Sequence, residues 1–369
     1  VSTDDRLRPS PGTASSADRR SEPSAPSAPG SPVLSIEGLS VDYLTGSGAV
    51  HAVDGVSLTL RRGEILGLAG ESGSGKSTLA NAVARLLRPP AVVTAGSVTY
   101  HRADGSATDL LRMGKQELRR FRWKELAVVF QSAMNSLNPV TTVGSQVDDV
   151  LRAHDRSMST VERRDRAVEL LRRVGISADR AKSYPHELSG GMRQRAAIAI
   201  ALALNPEIII MDEPTTALDV VVQRDILREI KALREEYGFA VVFITHDLSL
   251  LLSMADRIAV MYAGQLVEHG AARDVHDHPR HPYTLGLLRS FPKLRGPREE
   301  LLGIPGTPPD LRDLPPGCPF HPRCRFAVDA CSAEQPELTE VHSGQWAACL
   351  AHGPSYGPVP VELSAGGSR

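Results

Sequence analysis

"GESGSGKST" runs from Gly70 to Thr78 in a chain of 369 residues. It fits G-x-x-x-x-G-K-[ST], with Gly70, Gly75, Lys76 and Ser77 at the fixed positions. The apolar run "EILGLA" precedes it and the helical "TLANAVARLL" follows it. That is the strand–loop–helix context the pattern requires. Its glycines lack Cβ atoms, so the loop through Ser72, Gly73 and Ser74 can wrap a phosphate chain with its backbone N–H groups. The helix N-terminus behind it adds partial positive charge. Lys76 is placed to reach the β and γ phosphates, Ser77 to ligate magnesium and Thr78 to donate to a phosphate oxygen. The plain alternative is a glycine-rich turn with an incidental lysine, which the flanking strand and helix argue against.

The matching half of such a site lies downstream. "IIIMDEPTTALD" carries a strand that ends in Asp212 and Glu213. A carboxylate at a strand's C-terminal edge can hold magnesium, often through water. Glu213, one residue on, can polarise an attacking water, as phosphoryl transfer to water requires. A third motif, "LSGGMRQR", places Ser189, Gly190 and Gly191 at the start of an apolar helix. A Ser-Gly-Gly turn there is an anion site by the same physics as the phosphate loop. Two phosphate-recognising turns with one lysine loop imply two nucleotides shared across a dimer.

The remaining pattern is consistent with one nucleotide-binding module. "VLSIEGLSVDY" alternates like a strand, and "AVDGVSLTL" reads as a turn before a second alternating run. "EIIIMDE" and "AVVFITH" are apolar strands flanking the helical "QRDILREIKALREEYG", with Ile226, Ile230 and Leu233 on one face. "TVERRDRAVELLRRVG" reads as a helix closed by Gly175. Residues 1–32 are rich in Ser, Pro and Ala and are expected to be a disordered tail. Charge is balanced, 42 basic against 43 acidic side chains, so no general field for nucleic acid or anionic lipid exists. The longest obvious apolar run, "AAIAIALAL", falls well short of a membrane span. No basic start precedes an apolar stretch, so no secretory signal is expected and the chain is placed in the cytoplasm.

These motifs in this order resemble the ATP-binding subunit of an ABC transporter over Val33 to Gly270. The resemblance implies an α/β P-loop NTPase fold: a RecA-like core with antiparallel β and α-helical subdomains, the helical one about 132–205. It also assigns roles. Tyr43 is similar to the aromatic that stacks on adenine. Gln131 in "VVFQS" corresponds to the Q-loop glutamine, which contacts magnesium and couples to the membrane subunits. Ser189 and Gly191 correspond to signature residues that grip the partner's γ phosphate. Asp212 is the Walker B aspartate, Glu213 the catalytic base, Asp219 the D-loop residue and His246 the switch histidine. Each has a bland alternative: Tyr43 as an ordinary strand aromatic, Gln131 as a loop polar group, His246 as a strand-end histidine. Asp219 as a helix N-cap is compatible with its seam role.

"FQSAMNSLNPVTTVG" (Phe130 to Gly144) and "HPYTLGLLRSFP" (His281 to Pro292) further resemble the oligopeptide/dipeptide importers. The second can also be read as a linker and short helix opened by Pro282, with Leu285 and Leu288 on one face. The implied function is ATP hydrolysis driving peptide import from the cytoplasmic face of the membrane. Implied partners are two permease subunits, a second ATP-binding subunit (a homologous heteromeric partner or, alternatively, a second copy of this chain), and an extracytoplasmic peptide-binding protein reached through the permease. Nickel and sugar importers share the branch. A soluble ABC ATPase working on nucleic acid or ribosomes is the alternative from another class; the tandem cassettes, coiled-coil insertion or basic arms it needs are not visible.

Residues 271–369 are expected to form a C-terminal extension with a small domain of its own that holds all four cysteines: Cys318, Cys324, Cys331 and Cys349. A reducing compartment disfavours a disulfide framework. Four unrelated buried thiols need not cluster. Gaps of five, six and seventeen residues lack the tight pairs of structural zinc, although His321 could complete such a site. Four-thiolate iron–sulfur ligation tolerates wider spacing. The pattern is similar to the C-terminal region of peptide-importer ATPases, members of which carry a 4Fe–4S cluster there. That resemblance implies a cluster, with zinc as the alternative and a structural role. Phe320, Phe326 and Trp346 are candidates for its apolar shell.

Overall fold

The computed structural model describes residues 30–46, 48–131, 136–216, 218–290 and 303–353. The expected tail at 1–32 lies outside these up to residue 29, as do Ser132 to Asn135 of the segment after Gln131.

In chain order, β1 (Pro32–Thr45) and β2 (Gly48–Arg61) precede β3 (Ile65–Ala69) and α1 (Lys76–Val83). Next come β4 (Ala91–His101), β5 (Ala107–Asp109), α2 (Lys115–Phe121) and β6 (Leu126–Val129). Three helices follow: α3 (Val143–His154), α4 (Thr160–Arg173) and α5 (Gly190–Ala201). The chain returns through β7 (Ile208–Asp212), α6 (Val220–Tyr237), β8 (Ala240–Ile244), α7 (Leu248–Met254), β9 (Arg257–Tyr262) and β10 (Gln265–Ala271). It continues with α8 (Ala272–Asp277) and α9 (Pro282–Arg289), then β11 (Thr339–His342) and β12 (Gln345–Ala347).

Two sheets result among the described residues. An antiparallel sheet has the order β2-β1-β4-β5, and an eight-stranded sheet has the order β11-β12-β10-β9-β3-β8-β7-β6. From β9 to β6 the larger sheet is parallel. Every residue of β3 and β7 is buried, as strands covered on both faces must be, so they read as unbroken apolar runs. Apolar clusters on either face hold the sheet: Ile209, Met211, Val241 and Phe243 in one, Leu66, Leu68, Ile210 and Ile244 in the other.

Local chemistry sets the boundaries. Helix α4 starts at a capping box, in which Ser159 and Glu162 satisfy each other's backbone N–H groups. Gly175, at φ +70°, follows its end. Helix α6 starts at Asp219, whose Oδ1 accepts from the N–H groups of Val221 and Val222 at 3.1 and 3.0 Å. It closes at Gly238, φ +73°.

Two expectations are corrected here. The turn read in "AVDGVSLTL" does not reverse the chain. β2 runs straight through it, and Gly55, at φ +60°, absorbs a register shift against β1 as a bulge. The cysteine region, expected as a small domain of its own, is continuous with the main sheet: β12 pairs antiparallel with β10, Glu268 opposite Ala347. Its Phe320 joins the same apolar cluster as Tyr262 and Tyr283. The segment has too few large apolar residues to bury alone and completes its core on the cassette.

Candidate active site

Three parallel strands deliver the site residues to one edge of the sheet. The phosphate loop leaves β3, Asp212 closes β7 and His246 follows β8. The C-terminal edge of a parallel sheet is where ligands bind in open α/β folds. The loop's glycines are required by geometry. Gly70 has φ +146°, and a Cβ there would lie 2.3 Å from the Met261 carbonyl oxygen. Gly75 has φ +99°, and a Cβ would lie 2.3 Å from the Ala52 oxygen.

Lys76 is buried, and its Nζ donates to the carbonyls of Gly70 and Glu71 at 2.8 and 2.7 Å and to Ser74 Oγ at 3.1 Å. Burial lowers its pKa to about 8, against the opposing pull of Glu213 and Asp212. Tyr43 Oη lies 3.3 Å from Thr78 Oγ1, which puts the β1 aromatic beside the end of the loop.

Ser77 donates to Asp212, joining the two expected magnesium residues. Burial raises the pKa of Asp212, the Ser77 hydrogen bond only partly offsetting it. Asp212 Oδ1 is buried with no hydrogen-bond partner. An orphaned buried carboxylate oxygen beside a serine hydroxyl suits a hard cation. Ser77 and Asp212 therefore fit magnesium, which would neutralise phosphate charge there.

Glu213 is the most elaborately held group. Its backbone is left-handed, φ +44°, a strained conformation for glutamate. Gln131 Nε2 and Thr216 Oγ1 donate to Oε2 at 2.8 and 3.0 Å, and His246 Nδ1 lies 3.2 Å from Oε1. Burial works against its charge, but these hydrogen bonds outweigh it and hold the carboxyl below its ordinary pKa. Gln131 thus spends its amide nitrogen on the base, leaving only its carbonyl oxygen for magnesium. Thr216 was not singled out by the sequence; the second threonine of "EPTT" was its only signal.

These residues face a cleft of about 520 Å³, lined by Glu71, Ser72, Gln131, Glu213 and His246. Leu287, Ser290 and Ile304 form its other wall. Ser189, Gly190 and Gly191 do not line it. Ser189 caps α5, its Oγ accepting from Met192 N–H at 3.3 Å, and Gly191 lies against Val222 of α6, where a Cβ would come within 2.7 Å of that side chain. Asp219, Val220 and Val221 beside it are exposed, the valines at 79 and 61%.

The four cysteines share a second cavity, of about 120 Å³, with Phe320, Phe326 and Val328. Trp346 is not among its lining; it stacks on His269 at 5.8 Å in the sheet, because the β10–β12 pairing sets the two side chains opposite each other. Burial raises the pKa of the Cys318 thiol, that of Cys324 to about 11 and that of Cys349 to about 12, and neighbouring cysteines add to it. Among the described residues no three His, Cys, Asp or Glu side chains converge on one metal ion.

A phosphate loop, a magnesium-fitting carboxylate and a glutamate braced by glutamine and histidine define an ATPase of the ATP-binding-cassette class. The family model for ABC transporters matches residues 53–216, and that for the oligopeptide/dipeptide transporter C-terminal region matches 267–331. A Brucella abortus protein, provisionally named a peptide import ATP-binding protein, is 46% identical over 330 residues, covering 86% of this chain and 97% of its own. The oligopeptide transport ATP-binding protein OppD of Mycobacterium tuberculosis is 46% identical over 323 residues, 87% of this chain and 52% of its own. A cassette solved as a dimer in a post-hydrolysis state with ADP and Pi superposes at TM-score 0.58 and 33% identity, over 65% of this chain and 99% of its own. CbiO1 of Clostridium perfringens superposes at 0.56 with 28% identity, over 66 and 90%. The chain belongs to the oligopeptide/dipeptide branch of the ABC transporter ATP-binding family.

Proposed function

We propose that this chain is the ATP-hydrolysing subunit that powers import of di- and oligopeptides through an ABC transporter. The match of its C-terminal region to the oligopeptide/dipeptide model carries the substrate class. Glu213, held ionised by Gln131, Thr216 and His246, orients and polarises water; Lys76 and the loop N–H groups hold the phosphates. The partner's signature turn completes each site, and this chain's Ser189–Gly191 turn serves the partner's nucleotide. Among the described residues no helix is long and apolar enough to cross a membrane. Separate permease subunits would therefore supply the passage, with a binding protein delivering peptide from outside and this chain on the cytoplasmic face. Uptake of a labelled oligopeptide by cells carrying wild-type or Glu213→Gln protein tests this. Uptake is expected to fall to background in the variant; undiminished uptake would overturn it.

The shared cavity supports a group bound by Cys318, Cys324, Cys331 and Cys349, whose role would be to cross-link the region. Burial raises the pKa of Cys318, Cys324 and Cys349, and a cationic group would draw these thiols into the thiolate form. Their wide spread suits a 4Fe–4S cluster better than one zinc. Anaerobic purification with metal analysis and an absorption spectrum decides. About four irons per chain and a brown protein are expected; a colourless protein with one zinc would contradict the cluster.

A further inference from the structure

Glu71 of the phosphate loop is gripped from the C-terminal region through both backbone and side chain. Its N–H donates to Tyr283 Oη at 2.7 Å. Its carboxylate receives a two-pronged pair from Arg323, Nη1 to Oε2 at 2.7 Å and Nη2 to Oε1 at 3.0 Å. Its own carbonyl accepts from Lys76 Nζ at 2.7 Å and from Ser74 N–H at 3.2 Å. One residue therefore separates Arg323 and Tyr283 from the lysine that must meet the phosphates.

The two clamping residues have little freedom. Arg323 is 8% exposed; its Nε donates to the Pro305 carbonyl at 2.8 Å, and its guanidinium lies 5.8 Å from the Tyr262 ring centre. Tyr283 is fully buried, 4.6 Å from Tyr262 and 5.4 Å from Phe320 between ring centres. A bidentate arginine–carboxylate pair fixes orientation as well as distance. Glu71 also lines the catalytic cleft. Unpaired, its carboxylate would repel the phosphates the cleft must admit.

We propose that Arg323 and Tyr283 are positioning residues for ATP hydrolysis: through Glu71 they set the shape of the phosphate loop and the placement of Lys76. This rests on the loop's being the ATP site.

The test is nucleotide affinity, by displacement of a fluorescent ATP analogue, and steady-state hydrolysis, both on the full-length protein. Arg323→Met is expected to weaken ATP binding about tenfold and to raise KM more than it lowers kcat, since a charge-assisted pair is lost. Tyr283→Phe, which orphans one N–H, should weaken it about threefold. Adding Glu71→Gln to Arg323→Met should recover part of the loss, because the unpaired charge is gone. Wild-type affinity in Arg323→Met, or no recovery in the double variant, would overturn the proposal. Melting curves report whether Arg323→Met folds. If it does not, Tyr283→Phe decides, and unchanged affinity there counts against the clamp. Lys76→Ala serves as the control: if it binds ATP undiminished, the nucleotide site itself is misassigned, a failure distinct from that of the clamp.

Discussion

Glu213 sits in the left-handed region and accepts from two donors besides facing His246. Strain of this kind persists only where the surroundings over-determine it, and it gathers at catalytic positions. The bracing keeps the carboxylate ionised and aimed, which is what a water-orienting base needs. Thr216 is the simplest brace to remove. In Thr216→Val the carboxyl loses a donor to its charged form, so its pKa rises. The acid limb of the pH–rate profile should move to higher pH, and kcat should fall about three- to tenfold, the scale of one net hydrogen bond. An unmoved acid limb would mean that Glu213 is not the titrating base.

At the scale of elements, the docking of α9 and β12 onto β10 turns on Glu268. This carboxylate is fully buried. It accepts from the N–H groups of Arg280 and His281, both at 2.8 Å, and from Gln345 Nε2 at 2.9 Å. Burial nonetheless pushes its pKa up from 4.5 to about 7, the N–H donors only partly opposing. A pKa raised on folding means extra stability below pH 4.5 that is lost as pH rises through about 7. The wild-type melting temperature should therefore fall between pH 5 and 7.5 by more than that of Glu268→Gln; parallel curves would refute this. Beside it, His281 opens α9 by accepting Tyr283 N–H on Nδ1 at 3.1 Å, which needs a neutral ring; burial supplies that by lowering its pKa to about 3.

The sequence made some of these elements plain and hid others, for physical reasons. β3, β7 and β8 were legible because buried parallel strands are short apolar runs. Helices α4 and α6 were legible from their period and their closing glycines. At α9 the expected face of Leu285 and Leu288 proved wider: Leu285 and Leu287 are buried, Leu288 only partly. β11 and β12 are too short to show alternation. The Arg323–Glu71 pair spans 252 positions, and no local pattern announces a contact that only the tertiary fold creates.

Over the whole molecule, the ATP site is built from two regions that the sequence presents as separate. The cassette supplies the loop, the carboxylates and His246. The C-terminal region supplies one wall of the cleft and the clamp on Glu71. The Ser189–Gly191 turn and the exposed valines after Asp219 do not line this cleft, and the valines leave a surface open to a second subunit. If that surface is the seam, Val221→Glu should weaken ATP-dependent pairing with the partner ATPase while leaving nucleotide binding by the single chain within about twofold, since surface substitutions away from a site perturb it little. Light scattering with and without ATP reads this out, and pairing as strong as wild type would place the seam elsewhere.

The central claim is that this chain hydrolyses ATP through Glu213. It is tested most directly by measuring nucleotide binding and ATP turnover together in the assembled transporter, wild type against Glu213→Gln. The variant should bind ATP within a few-fold of wild type and lose turnover by about a hundredfold or more, the scale of a lost general base. Turnover at the wild-type rate in Glu213→Gln would contradict it.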